Sequence, residues 1–108
     1  MNLFNLDKKV ALITGGNGGI GYAMAKAMGN AGANIIIAGR NKDKNTLSEN
    51  KLKNSNIDAM AIEVDVDEEL SCQNMVNKVV DKYQKIDILV NNAGTNIRKR
   101  PEEYSLKE

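Results

Sequence analysis

From Thr14 to Gly21 the chain reads Thr-Gly-Gly-Asn-Gly-Gly-Ile-Gly, a density of glycine that no helix or strand interior tolerates. Directly before it, Val10-Ala11-Leu12-Ile13 is a short unbroken apolar run of the kind buried on both faces of a parallel sheet. Directly after it, Ile20, Met24, Ala27, Met28 and Ala31 recur at helical spacing. Gly32 then stands where a helix C-terminus favours a residue that accepts positive φ. A strand that runs through glycines straight into a helix sets the frame for the rest of the chain.

The remaining segments repeat that alternation. Asn34-Ile35-Ile36-Ile37-Ala38 reads as a second strand ended by Gly39-Arg40-Asn41. Lys42 to Asn56 is charged and asparagine-rich, which predicts a thinly packed surface helix anchored only by Leu47 and Leu52. Ala59 to Val64 is a third strand, and Asp67-Glu68-Glu69 places acids in the first turn of a helix, where the macrodipole favours them. Cys72, Met75, Val76, Val79, Val80 and Tyr83 form that helix's apolar stripe, and Ile86 to Val90 is a fourth strand. Strands alternating with such helices predict an α/β fold, a Rossmann-type doubly wound parallel sheet in the order 3-2-1-4. No repeat or linker divides the 108 residues, so one domain with a modest core is expected.

Composition removes several functions. Lysine and arginine number 15 against 14 acidic residues, so there is no concentrated basic field for nucleic acid or an anionic membrane surface. No histidine is present, which removes Ser-His-Asp chemistry and most zinc sites, and no metal site is expected. The single Cys72 excludes an internal disulfide and, beside Ser71, Gln73 and Asn74, has no cation to activate it, so an ordinary packed or half-exposed thiol is expected. Neither a secretory leader nor a membrane-spanning run is recognisable, which makes a cytoplasmic location the expectation.

The glycines have a chemical reading. A diphosphate can accept hydrogen bonds from the unpaired N–H groups of a helix N-terminus and feel the positive end of its dipole, provided no Cβ blocks the approach. T-G-x-x-x-G-x-G from Thr14 and G-x-G-x-x-G from Gly16, between strand and helix, point to a dinucleotide. The alternative is a tight turn and nothing more. In many such folds an acid ending the second strand binds the adenosine ribose 2′-hydroxyl and selects NAD. Gly39 occupies that place and Arg40 follows, so a guanidinium is available for a 2′-phosphate and NADP is expected over NAD. Arg40 stacked on adenine or turned to water is the competing reading.

T-G-x-x-x-G-I-G after the first strand, Asp65-Val66 closing the third and Asn91-Asn92-Ala93-Gly94 after the fourth resemble the short-chain dehydrogenase/reductases, from about Leu6 onward. The resemblance implies that Thr14 opens the phosphate turn, that Gly15, Gly19, Ile20 and Gly21 line the pyrophosphate, and that Asn17 lies at the same turn. It implies that Asp65 accepts from the adenine amino group while Val66 packs on the ring, and that Asn91, Ala93 and Gly94 close over the nicotinamide ribose and brace the sheet. A solvated acid at a helix start is the plain alternative for Asp65, and a polar turn for Asn91 and Asn92. Asn92 to Arg98 is similar to bacterial gluconate-type sugar-acid dehydrogenases, with 3-oxoacyl carrier-protein reductases as rival. Arg98, Lys99 and Arg100 then either attract a substrate carboxylate or form a solvated basic loop.

The family implies NAD(P)-dependent hydride transfer at a carbonyl or alcohol carbon of a small-molecule substrate, in a homo-oligomer when full-length. It also implies a tyrosine acid/base with a lysine four residues on and a serine, all from the second half of the fold. Tyr22 to Lys26 matches Y-x-x-x-K, but in the first helix, and Tyr104 lacks a lysine at position 108, so no catalytic residue is assigned here. Ser105 to Glu108 fits a capping box for a further helix, and an apolar fourth strand at a sheet edge is an aggregation hazard. The chain therefore reads as the N-terminal, cofactor-binding portion of an enzyme, inactive alone. A stand-alone nucleotide-binding module and an inactive truncated product are the alternatives, and the coding frame beyond Glu108 separates them.

Overall fold

The computed structural model describes residues 5–92. In chain order these form β1 (Val10–Thr14), α1 (Gly19–Asn30), β2 (Asn34–Gly39), α2 (Lys42–Asn54), β3 (Ala59–Glu63), α3 (Glu69–Tyr83) and β4 (Ile88–Asn91). The strands make one sheet in the order β3-β2-β1-β4, with every pair parallel. Fold class and strand order are thus as expected.

The two central strands carry the core. All five residues of β1 are buried, and so are Ile35 to Ala38 of β2. Because side chains alternate between faces, Val10, Leu12, Ile36 and Ala38 pack with Val64, Val66, Cys72, Met75, Val76 and Val79 on the α3 side. Ala11, Ile13, Ile35 and Ile37 pack on the other side with Ala25 of α1 and with Leu52 and Ile57 at the end of α2. Cys72 is a buried member of the first layer.

Gly32 has φ +108 and completes the predicted stop of α1: Ala33 N–H donates to Met28 O at 3.1 Å and Gly32 N–H to Gly29 O at 3.0 Å, a Schellman pair. The helix face differs from expectation. Gly21 and Ala25 are the buried residues of α1, whereas Ile20 is 72% exposed and Ala27 is also exposed. A Cβ on Gly21 would stand 2.2 Å from Gly15 O, and one on Gly29 2.5 Å from Ile57 Cγ2. The helix therefore approaches its neighbours along Gly21, Ala25 and Gly29, four residues apart, and its larger apolar side chains flank that line.

The second helix also differs. It ends at Asn54, with Asn56 in the left-handed region at φ 63, and Leu47 faces water while Asn45, Ser48 and Leu52 are buried. Two polar side chains thus sit on the inner face of α2. β4 lies two residues later at its start than the apolar run suggests, because the side chain of Asp87 accepts from Val10 N–H at 2.8 Å and its own N–H donates to Val10 O at 2.9 Å.

That bond gives the fold a pH dependence. The Val10 N–H, and then Lys85 at 3.0 Å, hold the Asp87 carboxyl below the ordinary aspartate range. A carboxylate lowered in the folded state adds stability above its unfolded pKa, and that stability is lost as pH falls through the folded value. Thermal unfolding of Asp87→Asn is expected to show a smaller drop in midpoint on acidification than the parent. Parallel curves for the two would contradict this role for Asp87.

Candidate functional site

The glycine turn forms one wall of a cavity of about 570 Å³ at the C-terminal end of the strands, lined among others by Gly15, Asn17, Gly18, Gly19, Ile20 and Arg40. Gly15 and Gly19 have φ +71 and +58, which side chains rarely adopt. Gly15 N–H donates to Ala38 O at 2.7 Å, and a Cβ on Gly16 would lie 2.7 Å from Ile37 Cγ2, so the start of the turn lies flat on β2. At Gly18 and Gly19 the situation reverses, because a Cβ there would meet nothing within 4 Å. Gly18 is the N-cap of α1 and supplies no side-chain cap. The first amides of α1 thus begin beside open space with no capping side chain, which fits a diphosphate.

The expected site residues fall into three groups, with Asp65 apart from them. Gly15, Asn17, Gly19, Ile20, Arg40 and Val66 line the cavity. Thr14 and Gly21 support it from beneath: Thr14 is fully buried, its hydroxyl facing Val90 O at 3.3 Å and Asn91 Oδ1 at 3.2 Å, and Asn92 N–H donates to that hydroxyl at 3.1 Å. Thr14 therefore locks β1 to the end of β4, Asn91 included, and Gly21 lets α1 close onto Gly15. Ala93 and Gly94, like Arg98, Lys99, Arg100, Tyr104 and the Ser105–Glu108 box, lie outside the described residues.

Asp65 is not in the lining of this cavity but in that of a neighbouring one shared with Arg40, its Oδ2 3.5 Å from Arg40 Nη2. Its other oxygen accepts from Asp67 N–H at 3.0 Å, and its own N–H donates to Ser71 Oγ at 2.9 Å. These bonds settle the orientation of the carboxylate at the start of α3. The ion pair with Arg40 is long and solvated, with side-chain exposures of 72% and 36%, so it contributes little and leaves the guanidinium at the rim.

Sequence reasoning missed the support from α2. Asn45, 3% exposed, donates from Nδ2 to Gly39 O at 2.9 Å and to Ile62 O at 3.3 Å, and its Oδ1 accepts from Asn17 Nδ2 at 2.9 Å. Ser48 Oγ donates to Asn17 O at 2.8 Å. Both ends of Asn17 are therefore held by α2, and through it the glycine turn is tied to the ends of β2 and β3. Lys44 adds a second cation to the lining. Its signal was present but weak, since it stands four residues after Arg40 in a segment rich in charge.

Among the described residues, neither Tyr22 nor Tyr83 lines this cavity. Tyr22 packs against the α1/α2 layer with Lys51 Nζ 5.9 Å from its ring centroid. Burial, and then Asp58, push Tyr83 up to about 12, away from the range that serves near neutral pH.

A short chain dehydrogenase model matches residues 9–108. The chain belongs to this family. It is 38% identical over 95 residues to the 2-dehydro-3-deoxy-D-gluconate 5-dehydrogenase of Formosa agariphila, covering 87% of this chain and 36% of that protein. The crystal structure of 2-keto-3-deoxy-D-gluconate dehydrogenase from Streptococcus agalactiae superposes with a TM-score of 0.79 at 38% identity, over 90% of this chain and 36% of the other. An actinorhodin polyketide ketoreductase with NADPH gives 0.78 at 31%, over 81% and 33%. The chain spans 35% to 44% of the length of such curated relatives.

The glycines of this short-chain dehydrogenase separate into those that serve packing and those that serve the cavity. Gly21→Ala is expected to cost about 1–3 kcal/mol in urea unfolding, because its Cβ meets backbone that cannot move aside. Gly18→Ala, facing open space, is expected to stay within about 0.5 kcal/mol of the parent. Equal stability changes at the two positions would contradict this division.

Proposed function

We propose that the chain is the cofactor-binding part of an oxidoreductase that uses NADP(H), in preference to NAD(H), to interconvert a carbonyl and an alcohol in a small substrate. The observation that carries the reading is the uncapped start of α1 at Gly18 and Gly19, open to the cavity, with the Arg40 guanidinium on the rim. In this reading the α1 amides bind the diphosphate, and no carboxylate at position 39 opposes a 2′-phosphate beside Arg40 and Lys44. In the same reading Asp65, beside Arg40, would turn an oxygen to an adenine amino group, and Val66 in the cavity lining supplies an apolar surface for the ring. When bound, the nicotinamide donates or accepts the hydride. The proton is handled by groups beyond those described, and the chain spans under half of its relatives.

The substrate class we assign is a sugar acid of the gluconate type, on the strength of two relatives named for 2-keto-3-deoxy-gluconate chemistry and of the stretch from Asn92 to Arg98. As in the family, the whole protein is expected to be a homo-oligomer. Among the described residues no helix is long and apolar enough to cross a membrane.

Calorimetric titration with NADPH and NADH tests the cofactor assignment. The parent is expected to bind NADPH more tightly, and Arg40→Ala to weaken NADPH roughly tenfold while leaving NADH unchanged, the loss of a solvated charge-assisted contact. A preference for NADH that Arg40→Ala does not alter would overturn it. Absence of turnover of 2-keto-3-deoxy-gluconate by the whole protein, with NADPH binding intact, would remove the substrate class alone.

A further inference from the structure

Gly39 ends β2 at the place where a ribose-binding carboxylate would stand, and its surroundings explain why no side chain is there. A Cβ at position 39 would lie 2.4 Å from Asn17 Nδ2, 2.8 Å from Asn45 Oδ1 and 3.2 Å from Asn17 Cγ. The first two atoms are the donor and acceptor of the 2.9 Å hydrogen bond between Asn17 and Asn45. Gly39 is not in a glycine-only conformation: its φ is not among the positive values. Space, and not backbone strain, is what excludes a side chain.

The Asn17–Asn45 pair is itself fixed. Asn45 is buried and its amide is committed to Gly39 O and Ile62 O, while Asn17 is anchored through its carbonyl to Ser48. The clash is with side-chain ends, which ordinarily move at small cost, but here moving either end breaks a hydrogen bond in a mostly buried setting and loosens the phosphate turn. An aspartate at 39 would thus trade the turn for the carboxylate.

We propose that the Asn17–Asn45 amide pair is a specificity-determining element: by filling the space over Gly39 it bars an acidic side chain from the end of β2 and leaves the adenosine ribose of the cofactor to Arg40. This rests on the nucleotide-binding reading given above. Neither asparagine need contact the ribose. They act by position, and the consequence is a link between the order of the phosphate turn and the choice of nucleotide.

The test is a rescue experiment read as affinities for NADH and NADPH, with helicity by circular dichroism as the control for folding. Gly39→Asp alone is expected to weaken both nucleotides, NADH by roughly tenfold, the equivalent of one lost hydrogen bond. Adding Asn17→Ala, which removes two of the three clashing atoms, is expected to restore NADH affinity about tenfold over Gly39→Asp while NADPH stays weak. Asn45→Ala in place of Asn17→Ala vacates the third atom and frees Asn17 to turn away. It gives the same direction of change and serves if the first double variant does not fold. Gly39→Asp that binds NADH as well as the parent, or double variants that bind it no better than Gly39→Asp, would overturn the proposal. A parent that binds NADPH alongside either result leaves the nucleotide reading standing, whereas a parent that binds neither nucleotide brings both down.

Discussion

The structure depends on how the Thr14–Gly21 turn is held. A helix N-terminus can receive an anion only if its amides face outward, and they face outward only if the backbone leading to them is fixed from the other side. Here that fixing comes from β2 through the Gly15 N–H bond to Ala38, from β4 through the Thr14 hydroxyl, and from α2 through Asn45 and Ser48. Gly16 and Gly21 remove the side chains that would lift the turn from its supports. Gly18 and Gly19 then meet nothing, and the cavity begins where the packing ends.

The same economy of volume runs along α1. Its contact line is Gly21, Ala25 and Gly29, so the helix comes close to the turn and to Ile57, and closeness to the turn is what brings its first amides to the strand ends. Ile20, one residue into the helix, is left 72% exposed at the cavity. Its side chain there adds apolar surface to the cavity wall.

The strands and their order were legible because Val10–Ile13, Ile35–Ala38, Ala59–Ile62 and Ile88–Val90 are apolar runs bounded by turn residues, and a parallel sheet buries such runs on both faces. The helix faces were less so. Periodicity weighs large apolar residues, and α1 packs through small ones while α2 packs through Asn45 and Ser48, residues that composition assigns to the surface. The absence of an acid at position 39 was visible in the sequence, but its cause lies 22 residues upstream and six downstream, at Asn17 and Asn45, and only the fold joins them. Arg40 and Asp65 were each expected to serve the cofactor, and their mutual contact is a product of tertiary structure. Membership of the short-chain dehydrogenases follows from the match over residues 9–108, whereas Ala93 and Gly94 stand outside the described residues.

Whether the first amides of α1 hold a diphosphate can be read amide by amide by NMR. On titration with NADPH, the ¹⁵N–¹H signals of Gly18, Gly19 and Ile20 are predicted to move together and saturate with one affinity, as those of α3 beyond its first turn stay in place. Signals at these three residues that remain unmoved while NADPH binds elsewhere on the chain would rule out a diphosphate at the start of α1.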